Sequence, residues 1–270
     1  MAAKTNSNPV EKDFLWLNIR ELPFFRALLR AVEARFYQDI LLPSPTIDLG
    51  CGDGHFAEIT FNSPVDIGLD PDIKPLWEAI RRNSYRFLIQ ADGSCMPFPD
   101  HYFNSAFSNS VLEHIPGIEA VLKETSRVLK PGAVFAFCVP NHQFNQNLSI
   151  SNWFERINAG VLADRYRTFF DRIARHYHLD PPEVWINRLQ KAGFEIVSWH
   201  NYFSPGALRI TELGHYFGLP SLFARKLFGK WILAPFRWNL AIPYRITKKY
   251  FDQEPIRDDG VCTFFITRRK

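Results

Sequence analysis

The ten residues from Thr46 to His55, TIDLGCGDGH, constrain the fold more than any other stretch. A short apolar run with Ile47 and Leu49 enters glycines at alternate positions, Gly50, Gly52 and Gly54. Glycine takes backbone conformations barred to other residues, so the run predicts a strand that turns sharply into a helix. Such a turn brings bare backbone close to a ligand, and the first turn of the helix offers it unpaired N–H groups. The spacing is G-x-G-x-G, not the G-x-G-x-x-G of dinucleotide-binding turns. Taken alone, the run also fits an ordinary tight strand-to-helix turn.

The stretches that follow give it context. Val65 to Leu69 is a second apolar run and ends in Asp70. A carboxylate at the tip of the second strand of a doubly wound sheet accepts both hydroxyls of a ribose. Tyr85 to Gln90 ends in Ala91-Asp92-Gly93, where Asp92 suits an exocyclic amine and the Gly93 backbone an adenine edge. Ser105 to Asn109 leads into Ser110-Val111-Leu112-Glu113-His114-Ile115. Each candidate strand ends in a polar residue, and parallel sheets bind ligands at the C-terminal ends of their strands. The plainer reading makes Asp48 and Asp70 helix or turn caps and Asp92-Gly93 a turn pair.

In this order, IDLGCGDGH, GLDPD, QADGSCMPFPD, SNSVLEHI and RVLKPGAVFAF resemble the motifs of class I S-adenosylmethionine-dependent methyltransferases. The resemblance is strongest to the type 11 branch that includes the ubiquinone and menaquinone methyltransferases. It covers Ser44 to Val139, and more loosely Glu183 to Trp199 and the C-terminal strand. It implies an α/β fold: a Rossmann-like seven-stranded sheet, last strand antiparallel, helices on both faces and helical lid insertions. It implies S-adenosylmethionine as cofactor. Gly50, Cys51 and Gly52 would face the methionine portion, with Asp48 bonding toward its amino group directly or through water. Asp70 would hold the ribose, Pro71 and Asp72 would flank the adenine, and Asp92 and Gly93 would bond its edge. The backbone at Asn109 and Ser110 would meet the methionine amino group. Two departures stand out: a short helix after the glycine turn, and Asn104 where the family often has an acidic residue. The motifs specify the cofactor and say little about the acceptor.

At 270 residues, with 46% hydrophobic side chains, the chain suits one domain with elaborations. The formal charge of +4 is too mild to argue for nucleic acid. Cys51, Cys95, Cys138 and Cys262 lie far apart, which reads as reduced thiols. The N-terminus lacks the apolar core of a signal peptide, and no run reaches the ~18 apolar residues of a membrane span. The expectation is a cytoplasmic protein, with peripheral membrane contact as a further option.

Residues 1 to about 10 are polar and expected to be loose. Lys12 to Leu42 predicts two helices divided at Pro23. Helices follow at Ile73–Asn83 and Ile118–Leu129, the latter stopped by Lys130-Pro131-Gly132. Ala133–Val139 reads as the fifth strand. Asn141 to Asp180 is an insertion with one helix around Trp153 to His178. Pro181–Lys191 is a helix, Glu195–Trp199 the sixth strand and Val261–Thr267 the last. The division is therefore 1–43 as N-terminal helices, 44–200 with 261–270 as the core, and 201–260 as an inserted segment.

That segment has the most distinctive composition. Between Pro205 and Phe251 lie eight Lys or Arg and one acidic residue, Glu212, a balance of +7. Trp231, Trp238, Phe223, Phe228 and Phe236 are interleaved. Such a stretch reads as a cap over the core, or as a lid resting on a membrane, where each cation contributes about 1 kcal/mol near an anionic surface. Single-stranded nucleic acid is the weakest of its readings. Pro220, Pro235 and Pro243 break it into short helices.

Methyl transfer from a sulfonium needs proximity, alignment and, for a hydroxyl acceptor, a base. His114 is the best-placed titratable residue, with Glu113 beside it. The resemblance to quinone O-methyltransferases implies that such a Glu-His pair lies near the substrate, where those relatives have been linked to a divalent metal. No metal is expected here, because neighbouring residues on regular structure do not point to one site. The other reading of His114 is a helix-start residue bonded to backbone. His142 is a second candidate, His55 lines the cofactor turn, and His176 and His178 diverge on the expected helix as surface residues. The function expected is methyl transfer to a small-molecule or lipid-like acceptor. The rivals are a nicotinamide dehydrogenase, which the G-x-G-x-G spacing disfavours, and a cofactor-binding protein without catalysis, acting as a partner or regulator.

Overall fold

The computed structural model describes residues 12–270. The expectation for residues 1–10 lies outside the described residues. Two helices open the chain, α1 (Phe14–Ile19) and α2 (Phe24–Phe36), with Pro23 between them. Asp13 caps α1 by accepting from the Trp16 amide at 2.9 Å. The core then alternates: β1 (Thr46–Leu49), α3 (His55–Thr60), β2 (Val65–Asp70), α4 (Ile73–Arg82), β3 (Tyr85–Gln90), β4 (Phe103–Asn109), α5 (Ile118–Val128) and β5 (Leu129–Pro140). The first insertion holds α6 (Gln143–Gln146), α7 (Ser149–Arg156) and α8 (Gly160–Ala174). After α9 (Pro182–Lys191) and β6 (Phe194–Tyr202), the second insertion holds α10 (Pro205–Phe217), α11 (Leu219–Phe228) and α12 (Ala241–Phe251). β7 (Cys262–Arg269) ends the fold.

The seven strands form one sheet in the order β3-β2-β1-β4-β5-β7-β6. β1 to β5 pair in parallel, and β7 runs antiparallel between β5 and β6. Strand order reverses between β1 and β4, so a crevice opens at their C-terminal ends. Both faces of the sheet are covered. Along β5, Phe135, Phe137 and Val139 pack with Leu122 of α5 and Trp185 of α9. The alternate residues Ala136 and Cys138 pack with Leu28 and Ala31 of α2. This period of two is what a strand buried on both faces requires.

The core elements fall where the sequence predicts them, with longer strands. β5 already starts at Leu129, because its pairing with β4 carries a register shift between Phe103 and Ser105 that admits Lys130-Pro131-Gly132. The single helix expected around Trp153–His178 is two. Asn158, at φ 57°, breaks the chain between α7 and α8. α8 stops at Arg175, also left-handed at φ 57°, so His176 and His178 lie beyond it.

Glu212 explains why the basic segment keeps one acid. Buried on α10, it accepts from the Ser149 amide at 2.6 Å, the Ile150 amide at 3.1 Å and the Tyr166 hydroxyl at 2.8 Å. It thereby caps α7 and joins the two insertions. The basic segment is itself divided in role. On α12, Tyr244 reaches back to Asp13 at 2.9 Å, and Leu240, just before that helix, is buried with Ile19 and Leu22. Pro205, Pro220 and Pro243 fall at or near the starts of α10, α11 and α12, and Pro235 lies in the irregular stretch between α11 and α12.

Candidate functional site

The glycine turn forms one wall of a cavity of about 350 Å³ at the C-terminal ends of β1 and β4. Gly50 has φ 76°, and a Cβ there would sit 2.4 Å from a Val111 methyl, so only glycine fits. Gly52, at φ 55°, has open space where its Cβ would be. The turn is held by β2: the amides of Gly50 and Cys51 both donate to the Leu69 carbonyl, at 2.8 and 3.0 Å. Asp70 accepts the Gly52 amide on Oδ2 and the Asp72 amide on Oδ1, each at 2.9 Å. Each oxygen keeps a free lone pair. Burial raises the Asp70 pKa, and the two amides oppose that.

Asp48 lines the cavity and accepts from the Tyr85 hydroxyl at 2.6 Å. Burial pushes its carboxyl up to about 7, against the Tyr85 hydrogen bond. Asn109, Cys51 and His55 share the cavity wall. His55 is buried, and that burial pulls it down to about 4.

The remaining expected residues are arranged differently. Asp70, Pro71, Asp72, Asp92 and Gly93 do not line this cavity. Asp70 instead braces the turn through the Gly52 amide, and Pro71 and Asp72 are exposed. Asp92 is exposed and accepts from both the amide and the hydroxyl of Ser94 at 2.7 Å, a turn that lowers its pKa. The Asn109 carbonyl accepts from Arg30 at 2.9 Å, and Ser110 opens onto a second cavity instead.

The second cavity, of about 430 Å³, lies between α2, the turn after β4 and the α8 end of the first insertion. Phe25, Leu29, Phe144, Phe170 and Phe203 make its apolar wall; Glu113, His114, His176 and His215 make its polar end. Arg26 and Arg30 line both cavities. Arg30 is partly buried, and its charge is stabilised by Glu33 against that burial.

His114 sits in a 3₁₀ turn, Leu112–His114, rather than at a helix start. Its Nδ1 lies 3.0 Å from the Arg175 carbonyl, which only accepts, so the ring nitrogen donates. Nε2 then faces Glu113 Oε1 at 3.6 Å. Burial lowers the His114 pKa, leaving a neutral imidazole at pH 7. Burial also pushes Glu113 up to about 7, opposed by His176, and Glu113 Oε2 has no partner. The tight turn corrects the expectation that adjacent residues face apart: Glu113 and His114 share one cavity.

His176 also corrects its expectation as a surface residue. It is largely buried, lines this cavity and stacks on His114 with ring centroids 5.6 Å apart. His178 is bound to the Ile115 carbonyl at 2.9 Å. His142 lies outside the cavity. Among the described residues, no group of three or more His, Cys, Asp or Glu is arranged to hold a metal ion.

The sequence predicts the helix α2 but not the site residues that it carries. Arg26, Arg30 and Glu33 stand at i, i+4 and i+7, one stripe on an otherwise apolar helix face, and that spacing was the available signal. Glu33 is fully buried and accepts from Asn109 Nδ2 at 2.7 Å, Ser110 Oγ at 2.8 Å and the Tyr202 hydroxyl at 2.8 Å. Arg225 and Trp231 of the second insertion, which cover the first cavity, were not singled out as site residues either.

A family model described as a methyltransferase domain matches residues 47–137. The sterol 24-C-methyltransferase of Aspergillus fumigatus is 31% identical over 122 residues, covering 42% of this chain and 32% of that protein. The ubiquinone/menaquinone biosynthesis C-methyltransferase of Shewanella frigidimarina is 26% identical over 118 residues, covering 42% and 47%. The chain thus spans a third to a half of the length of these relatives. A solved SAM-dependent methyltransferase of Thermotoga maritima shares the fold, with a TM-score of 0.54 at 15% identity over 92% of this chain and 91% of that one. The family match spans the glycine turn and the five parallel strands, and with the antiparallel β7 inside the sheet the chain has the fold of the class I S-adenosylmethionine-dependent methyltransferases around a methyltransferase domain at residues 47–137.

Proposed function

We propose that the protein transfers a methyl group from S-adenosylmethionine to a small, largely apolar or lipid-like acceptor that carries a hydroxyl. The observation that carries this reading is the wall of Arg26 and Arg30 shared by two cavities, one on the glycine turn and one beside His114. The first cavity fits the cofactor's chemistry. Its carboxylate at Asp48 and carbonyl at Asn109 suit an ammonium, and its guanidinium groups suit the methionine carboxylate. Asp70 keeps lone pairs for the ribose. When bound, S-adenosylmethionine supplies an electrophilic methyl on a sulfonium that leaves as a neutral thioether.

No general acid is then needed, and this chain's own residues do the rest. The Arg175 carbonyl fixes Nδ1–H of His114, so Nε2 is the nitrogen free to take a hydroxyl proton. The adjacent Glu113 carboxyl stabilises the imidazolium that results. Phe144 and Phe170 hold an apolar acceptor and exclude water.

A cofactor-binding protein without turnover is the second reading. It is favoured by one contact: Arg30 sets a permanent cation on the Asn109 carbonyl expected to take the methionine ammonium. The test is calorimetry with S-adenosylhomocysteine, followed by assay of label transfer from methyl-tritiated S-adenosylmethionine to phenols, long-chain alcohols and lipid extracts. Micromolar binding with label transfer that falls ~100-fold in His114→Ala supports the proposal. Binding without transfer to any acceptor favours the second reading, and absence of binding overturns both.

A further inference from the structure

We propose that α11, the stretch from Gly229 to Trp238 and the outer face of α12 form a docking face for an anionic lipid surface. The inference goes beyond the methyl-transfer reading, since it names a surface rather than a substrate, and it stands or falls on its own test.

The first observation is that α11 is inverted. Its protein side carries Arg225, which pairs with Glu78 of α4 and lines the first cavity. Its solvent side carries Phe223 and Leu227, 67% and 72% exposed, with Leu222 and Phe228 beside them. A helix that only capped the core would turn these residues inward. The second observation lies just downstream. Phe236 and Trp238 stack in parallel at 6.3 Å, and Trp238 is 77% exposed. An aromatic pair held together in solvent already has the flat, amphipathic form that seats at a headgroup boundary. The third is α12, whose exposed face runs Ile242, Arg245, Ile246, Lys249 at helical spacing, apolar and basic by turns.

Charge selects the occupant. Among the described residues, Lys226, Lys230, Arg245 and Lys249 have no ion-pair partner, and all are exposed. The segment's balance is +7, so a second copy meeting it face to face would bring the same charge to the contact and be repelled. An anionic bilayer matches both features at once: its headgroups take the cations and its acyl boundary takes Phe223, Leu227 and Trp238. No helix among the described residues is long and apolar enough to cross a membrane, so the contact is interfacial.

The experiment is cosedimentation of the full chain with vesicles of phosphatidylcholine alone and of phosphatidylcholine with phosphatidylserine. We expect tenfold or greater preference for the anionic vesicles at low salt. The preference should vanish near 1 M salt, where the screening length falls to about 3 Å. The pair Phe223→Ser and Trp238→Ser should cut partitioning about tenfold, and Lys226→Gln with Lys230→Gln should remove most of the anionic preference. Thermal melting and S-adenosylhomocysteine affinity of each variant, both expected unchanged, show that it is folded. Negligible binding to either vesicle overturns the proposal. So does binding that ignores Phe223 and Trp238, which would mean a charge-only contact suited to an acidic protein. Concentration-dependent self-association in the absence of vesicles overturns it as well. Failure of S-adenosylhomocysteine to bind the wild type would instead count against the methyl-transfer reading alone.

Discussion

Arg30 donates from Nη1 to the main-chain carbonyl of Asn109 at 2.9 Å, and so fastens α2 to the tip of β4. The same nitrogen lies 3.2 Å from Glu33 Oε2. Glu33 in turn gathers Asn109, Ser110 and Tyr202, which brings α2, the turn after β4 and the end of β6 onto one carboxylate. The partition between the two cavities is therefore an ionic network rather than a stack of apolar side chains. Networks of this kind hold geometry well when complete and are costly when one member is removed.

Glu33→Ala should expose that cost. It leaves the Arg30 charge and three donors without their common acceptor, which destabilises by about 3–5 kcal/mol. Glu33→Gln keeps an acceptor oxygen and should cost less. Urea denaturation followed by far-UV circular dichroism measures both. A loss below about 1 kcal/mol for the alanine variant would show that the network contributes little.

Asp70→Ala addresses the cofactor turn. The carboxylate fixes the Gly52 amide at 2.9 Å and is the acceptor proposed for the ribose hydroxyls. A hydrogen bond to a charged group contributes roughly 1.5–3 kcal/mol, so S-adenosylhomocysteine affinity should drop tenfold or more. Calorimetry reads this directly. An unchanged dissociation constant rules Asp70 out as a ligand, and a preference for NADH over the methyl donor would count against the cofactor assignment.

The core of the fold was legible because its signals are local. Gly50 needs its left-handed φ, Asp70 ends an apolar run, and Phe135 to Val139 is apolar on both faces. The helix break at Asn158 was illegible, since nothing around Trp153–His178 but a single Asn-Ala-Gly run marks it. That error hid the site's polar end. With α8 stopping at Arg175, His176 turns inward and the Arg175 carbonyl reaches His114 across 61 positions of sequence. Glu33 was hidden for a related reason: it acts through residues far along the chain, and only its place in an apolar helix stripe marks it beforehand.

Glu113 gives the fold a measurable pH dependence. Its pKa rises on folding from 4.5 to about 7 because burial penalises the charged form. The sign follows from proton counting. Between those values the native state holds a proton that the unfolded chain releases, so stability falls as pH rises, and the decline ends above about 7. Glu113→Gln removes this penalty. Its stability relative to wild type should therefore increase from pH 5 to pH 8, by on the order of 3 kcal/mol. Denaturation midpoints at the two pH values check it. A difference independent of pH would mean that Glu113 is ionised in the folded protein throughout.

The pairing of Arg225 with Glu78 joins the second insertion to α4 over the first cavity. Trp231 sits beside it, with the Arg225 guanidinium 5.9 Å from the ring centroid. Both Arg225 and Glu78 are about one-third exposed, so solvent screens the pair and its contribution is modest, up to about 1 kcal/mol. That is too little to govern folding, but a fewfold change in a rate is within its reach. Glu78→Gln should then speed S-adenosylhomocysteine release about threefold to fivefold, with thermal stability unchanged. Raising the salt should bring the wild-type release rate toward that of the variant, because both treatments weaken the same attraction. Stopped-flow displacement at low and high salt measures the four rates. Equal release from both proteins at low salt would mean that the insertion covers the cavity without latching it.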